Sequence, residues 1–114
     1  MTRGKVVLVP FPFDDLSSTK VRPAVCLTEP IGEHRHVVLA FVTSRVADDP
    51  LETDLVLSPD NPDFAATGLR IPSTLRLHRL MTVGPSLLVR ELGQVSPALQ
   101  VSIDARLRRL FGLA

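Results

Sequence analysis

The sequence predicts a mainly β fold: a small, strongly bent barrel covered by one C-terminal helix. Three observations carry this. Short apolar and β-branched runs recur along the chain, and Pro, Gly, Asp and Ser clusters separate them. A clear helical period appears once, in the last twenty residues. The length, 114 residues, suits one domain spanning 1–114, large enough to bury a core without disulfide or metal staples.

Taken in order, residues 5–9 form a β-branched run that Pro10 is expected to end. Residues 11–20, rich in Pro, Asp and Ser, read as a loop. Residues 21–28 are the second strand, with Pro23 marking an edge or strand start. Residues 29–35 turn, and 36–43 are the third strand. Its unbroken apolar run predicts burial on both faces. After a polar stretch, 55–57 are a short strand, and 64–66 are one helical turn stopped by Gly68. Residues 74–83 alternate, with Leu75 and Leu77 on one face and Arg76 and His78 on the other. Gly84-Pro85 turns the chain, and 87–89 are a further strand candidate. Ser96 is an N-cap, Pro97 suits the first helical position, and Gly112 supplies the stop. Leu99, Ile103, Leu107 and Leu110 form one stripe facing the sheet. Arg106, Arg108 and Arg109 sit near the negative end of the helix dipole.

Composition narrows the function classes. The chain is 45% apolar and 22% charged, with a net charge of +1. That excludes a disordered polymer and gives no strong global field for nucleic acid. Eleven of the thirteen basic residues are arginine, whose planar fork suits phosphate, although base composition of a genome produces the same bias. A single cysteine, Cys26, forms no intrachain disulfide and excludes a zinc site built mainly of thiolates. With no signal sequence and no apolar run near the roughly 20 residues of a membrane span, a reducing cytoplasm is the expected location.

Four segments belong together. They are KVVLVPFPFDDLSSTKVRPAVCLTE (5–29), FVTSR (41–45), GLRIPSTLRLHRLMTV (68–83) and LGQVSP (92–97). A strand, a Pro-Phe loop, an Arg-Pro pair opening the next strand and a Thr-Ser pair ending the third resemble the MazF/PemK family of type II toxin–antitoxin toxins. The resemblance covers nearly the whole chain. It implies an SH3-like barrel that pairs as a homodimer. It implies sequence-selective, metal-independent cleavage of single-stranded RNA, leaving a 2′,3′-cyclic phosphate and a 5′-hydroxyl. No cofactor is expected. The implied partner is an antitoxin whose acidic disordered segment lies over the RNA groove. The same barrel also serves non-catalytic toxins that poison gyrase by protein contact, which is the alternative reading.

Cleavage by a ribose 2′-hydroxyl needs a route for its proton, donors for the developing phosphorane charge and a proton for the leaving oxygen. By the resemblance, Arg22 of the Arg-Pro pair holds phosphate oxygens. A surface ion pair with Asp14 or Asp15 is its ordinary alternative. Thr43 and Ser44 match the family's hydroxyl pair, and their ordinary alternative is to cap a turn. Arg76 matches a catalytic arginine. His78 stands where PemK-like members carry aspartate, and is either an acid or base near neutral pH or a surface histidine. Phe11 and Phe13 are candidates to stack on bases, with a core or dimer anchor as the ordinary alternative. Asp14 is a candidate to read a base edge or pair with Arg22, with turn polarity its ordinary role. Lys20 is a candidate substrate-binding residue. His34 and His36 flank a turn that supplies too few ligands for a metal.

Overall fold

The computed structural model describes residues 1–11 and 20–114. Six strands are described: β1 (Lys5–Phe11), β2 (Lys20–Cys26), β3 (Val37–Thr43), β4 (Asp54–Leu57), β5 (Ser73–Val83) and β6 (Arg90–Gln94). They form one antiparallel sheet in the order β4-β5-β3-β2-β1-β6, followed by a helix, α1 (Pro97–Phe111). The mainly β fold with a covering C-terminal helix is as the sequence predicts.

The apolar run of β3 is explained by two cores, one on each face of the sheet. Val38, Ala40 and Val42 pack with Val6, Val25, Leu75 and Leu77 under α1, which contributes Leu99 and Ile103. Val37, Leu39 and Phe41 pack on the other face with Val7, Val9, Ala24 and Cys26. The helix forms where its punctuation predicts. Ser96 Oγ accepts from Leu99 N–H at 3.1 Å and donates to Asp63 at 2.7 Å. Gly112 ends α1 at φ +66°, a left-handed conformation that glycine tolerates.

The sheet curls because its two edges are bridged. A 3₁₀ turn (Ala65–Thr67) after β4 lies against β6. The two backbones approach so closely that each must present a glycine. A Cβ on Gly68 would lie 2.1 Å from Leu92 O, and one on Gly93 would lie 2.2 Å from Ala66 O.

Two expectations are corrected. Pro10 does not end β1, which continues to Phe11. β6 accompanies β1 only as far as Leu8, so among the described residues no ladder lies on that side of Pro10 for a missing N–H to break. Residues 87–89 are not a strand. Pro85 starts a second 3₁₀ turn (Pro85–Leu87), and the strand is the polar RELGQ that follows. As an edge strand with mostly exposed or half-buried side chains, β6 carries little of the apolar alternation by which strands are recognised.

Candidate functional site at the end of the third strand

Pro23 shapes the site. The β2–β3 ladder runs from Cys26 opposite Leu39 to Ala24 opposite Phe41 and stops there. Proline at the next position has no N–H to continue it. Carried two residues further, the same register aligns Arg22 with Thr43. Strand alternation keeps both on the face of Ala24 and Phe41. On the other side of β3, Thr43 is opposite Thr74 and Phe41 is opposite Arg76. Arg76 is in turn opposite Asp54 on β4. Four adjacent strands thus deliver Arg22, Thr43, Arg76 and Asp54 to one end of one face.

A groove of about 690 Å³ opens there, lined by Thr43, Arg45, Val46, Ala47, Asp54, Thr74, Arg76 and Arg79. Thr43 Oγ1 accepts from Arg45 N–H at 3.2 Å, and Thr74 Oγ1 donates to Arg45 O at 2.9 Å. The two hydroxyls therefore fix the turn that leaves β3, which is the ordinary role for Thr43. That bond uses the Thr43 oxygen as acceptor and leaves its proton for a ligand.

Ser44, the next residue, is exposed and faces a second concavity of about 280 Å³. Its walls include Leu8, Pro23, Val42 and Leu92, with Arg22, Arg70 and Arg90 around them. Arg22 therefore lines the second concavity and not the first, although the extended β2 register sets its backbone beside Thr43. The two linings together hold six of the eleven arginines and a single carboxylate, Asp54. A chain of net charge +1 thus places three arginines in each of two concavities that meet the end of β3 through Ser44 and Thr43.

The remaining sequence candidates fall as follows. His78 is exposed and lines neither groove. The β3–β5 register passes from Ala40 opposite Leu80 to Phe41 opposite Arg76, so residues 77–79 of β5 bulge out of the ladder. Leu75 and Leu77 share the core under α1, as the alternation predicts. Beside the bulge His78 is exposed outside the groove, and Arg79 lines it instead. Lys20 is exposed at the start of β2, on the strand face of Arg22. Phe11 ends β1 opposite Lys20. Phe13 and Asp14 lie outside the described residues. Cys26 belongs to the second core, and burial pushes its thiol pKa up, which keeps it an inert thiol.

Asp54, Arg45, Arg70 and Arg90 were not among the sequence candidates. Arg45 was within reach, since it follows the Thr-Ser pair. Asp54 and the other two become visible only when the register sets distant segments side by side.

The family model described as PemK-like, MazF-like toxin of type II toxin–antitoxin system matches residues 2–111. No curated protein matches the sequence. Among solved structures, Mycobacterium tuberculosis toxin MazF-mt6 is similar at TM-score 0.74 and 20% identity, over 96% of this chain and 98% of that one. An endoribonuclease in complex with its cognate antitoxin from Mycobacterial species has TM-score 0.71 and 19% identity, over 100% and 97%. MazE–MazF (Form-II) from Deinococcus radiodurans has TM-score 0.68 and 14% identity, over 100% and 97%. At these identities the likeness is one of fold.

Proposed function

The chain belongs to the PemK-like, MazF-like toxins of type II toxin–antitoxin systems, and from that premise we propose that it is an endoribonuclease cutting single-stranded RNA at the end of β3. The observation that carries the reading is the register row. It sets Arg76 opposite Phe41, two residues from Thr43 on the same face of β3, beside a groove that holds two further arginines, and the β2 register carried two residues past Ala24 brings Arg22 next to Thr43.

In the proposed reaction the 2′-hydroxyl attacks the adjacent phosphorus. A 2′-O–P bond forms, the bond to the 5′-oxygen of the next nucleotide breaks, and the products are a cyclic phosphate and a 5′-hydroxyl. The nucleophile is already in the substrate, so the protein has chiefly to orient it and stabilise charge. Arg22 and Arg76 place guanidinium donors around the phosphate oxygens, and Thr43 adds a hydroxyl donor. His78 lies outside the grooves, and Asp54 is buried and already engaged. Among the described residues no other carboxylate or imidazole lines either groove. The proposed mechanism therefore rests on fixed positive charge, with protons exchanged through solvent.

The same charge suits an acidic disordered segment, so the antitoxin and RNA are expected to compete for these grooves. The family reading also carries a homodimer acting in the cytoplasm, with no metal and no other cofactor. Purified protein incubated with long mixed-sequence RNA in EDTA tests the proposal by mapping of the product ends. Cyclic phosphate and 5′-hydroxyl ends at a recurring short sequence are expected. Intact RNA, together with growth arrest on expression, would replace this reading with action by protein contact.

A further inference from the structure

Asp54 sits in surroundings unusual for a carboxylate. Its side chain is only 3% exposed, yet it lines a groove with three arginines, Arg45, Arg76 and Arg79. Oδ1 accepts from Arg76 Nε at 3.3 Å. Oδ2 accepts from the Leu51 amide at 3.0 Å. Its carbonyl oxygen accepts from Arg106 Nε of α1 at 3.0 Å. Arg106 is itself tied to Ser102 O and Oγ, both at 3.3 Å. The carboxylate is thus fixed by its own loop and its backbone by the helix.

The consequence falls on Arg76. A guanidinium can be held by its inner nitrogen or by its outer fork, and here it is held by Nε. The two Nη groups form the edge that grips a phosphate bidentately, and the contact with Asp54 does not use them. Arg45 and Arg79 line the same groove, and like charge would push Arg76 away from them. Asp54 opposes that displacement. Its negative charge is offset by the Arg76 guanidinium that it holds.

We propose that Asp54 is a positioning residue for RNA cleavage: it holds Arg76 by Nε so that the outer nitrogens meet the scissile phosphate, and α1 holds Asp54 through Arg106. The proposal rests on the ribonuclease reading above. Asn at position 54 keeps the size and an acceptor but removes the charge.

The test compares cleavage of a single-site, single-stranded RNA by wild type, Asp54→Asn, Arg76→Ala and the double variant. Asp54→Asn is expected to lower kcat about 10- to 100-fold with KM little changed, since misplacing a group by about 1 Å has effects of that size. In the Arg76→Ala background the same change should be nearly silent in kcat. An equal loss in both backgrounds, or full activity of folded Asp54→Asn, overturns the proposal while leaving the ribonuclease reading intact. A wild type that cuts no RNA overturns both. If Asp54→Asn does not fold, the wild-type chain still decides by NMR. The Arg76 Nε–H should exchange slowly, and a non-cleavable 2′-deoxy oligonucleotide should shift its Nη signals. An Nε–H that exchanges like that of an exposed arginine overturns the proposal.

Discussion

Under α1 the sheet meets its neighbours as hydrocarbon. Leu75, Leu77 and Ile103 are fully buried there. A few residues along the same strands, at the end of β3, the sheet presents guanidinium and hydroxyl groups with one carboxylate beneath them. The first region is stabilised by area removed from water, which a side chain of the right volume supplies. The second gathers like charges, which repel, and it depends on the first to hold its strands in place. The contrast teaches that the two regions should fail separately. Damage under the helix should lower stability, and damage in the grooves should lower phosphate handling.

The largest expected effect is in the covered region. Ile103→Ala removes a side chain with no exposure from the seam between α1 and the sheet, and should cost about 2–5 kcal/mol of stability. Urea denaturation measures the loss. Cleavage per folded molecule, assayed well below the melting temperature, should stay within about twofold of wild type. A large loss of turnover in the folded fraction would break the comparison, because the core would then be shaping the chemistry directly.

Arg22→Ala is the counterpart in the grooves. It should lower cleavage by roughly 10²-fold or more, as removing a donor to developing charge does elsewhere. Its effect on the denaturation midpoint should be far smaller than that of Ile103→Ala. Paired kinetics and denaturation on the two variants read both properties at once. Matching losses of stability would show that Arg22 is a strut of the fold and not a phosphate ligand.

The covered region was legible in the sequence for a simple reason. Leu99, Ile103 and Leu107 repeat at the helical period, and Ser96, Pro97 and Gly112 punctuate their helix, all within one short stretch. β3 announced its two-sided burial in the same local way. The grooves were legible only in part. Arg22 and Thr43 could be singled out through the Arg-Pro and Thr-Ser pairs, but what sets them side by side is register across β2 and β3. Asp54 heads an unremarkable apolar strand, and nothing near it in sequence marks it as the partner of Arg76, 22 positions away. Arg90 lies on β6, whose polarity concealed the strand itself. Local periodicity encodes the core, whereas the grooves are encoded by pairings between distant segments.

Arg90 sharpens the comparison within the charged end. It is exposed and borders the smaller concavity, whose lining holds neither Thr43 nor Arg76. Its role there would be to hold substrate backbone, so Arg90→Ala should weaken RNA binding by a few-fold across sequences. The slope of log affinity against log salt should fall by about 0.7 for one lost phosphate contact on a single strand. Turnover at saturating RNA should not change. An altered cleavage sequence with an unchanged salt slope would instead mean that Arg90 reads a base.

The smallest expected effect belongs to His78, and its smallness is informative. Sequence alternation set it beside Arg76, where a titrating imidazole would be a natural proton carrier. The bulge over residues 77–79 turns Arg79 toward the groove and leaves His78 exposed outside it. His78→Ala should therefore leave cleavage within about twofold of wild type and the shape of the pH–rate profile unchanged, since a group that does not touch the substrate has no proton to exchange with it. Loss of one limb of that profile would mean that RNA binding straightens the bulge and carries the imidazole inward. The charged end would then be a surface that rearranges around its substrate, unlike the core beneath α1, and fixed charge alone would no longer account for the reaction.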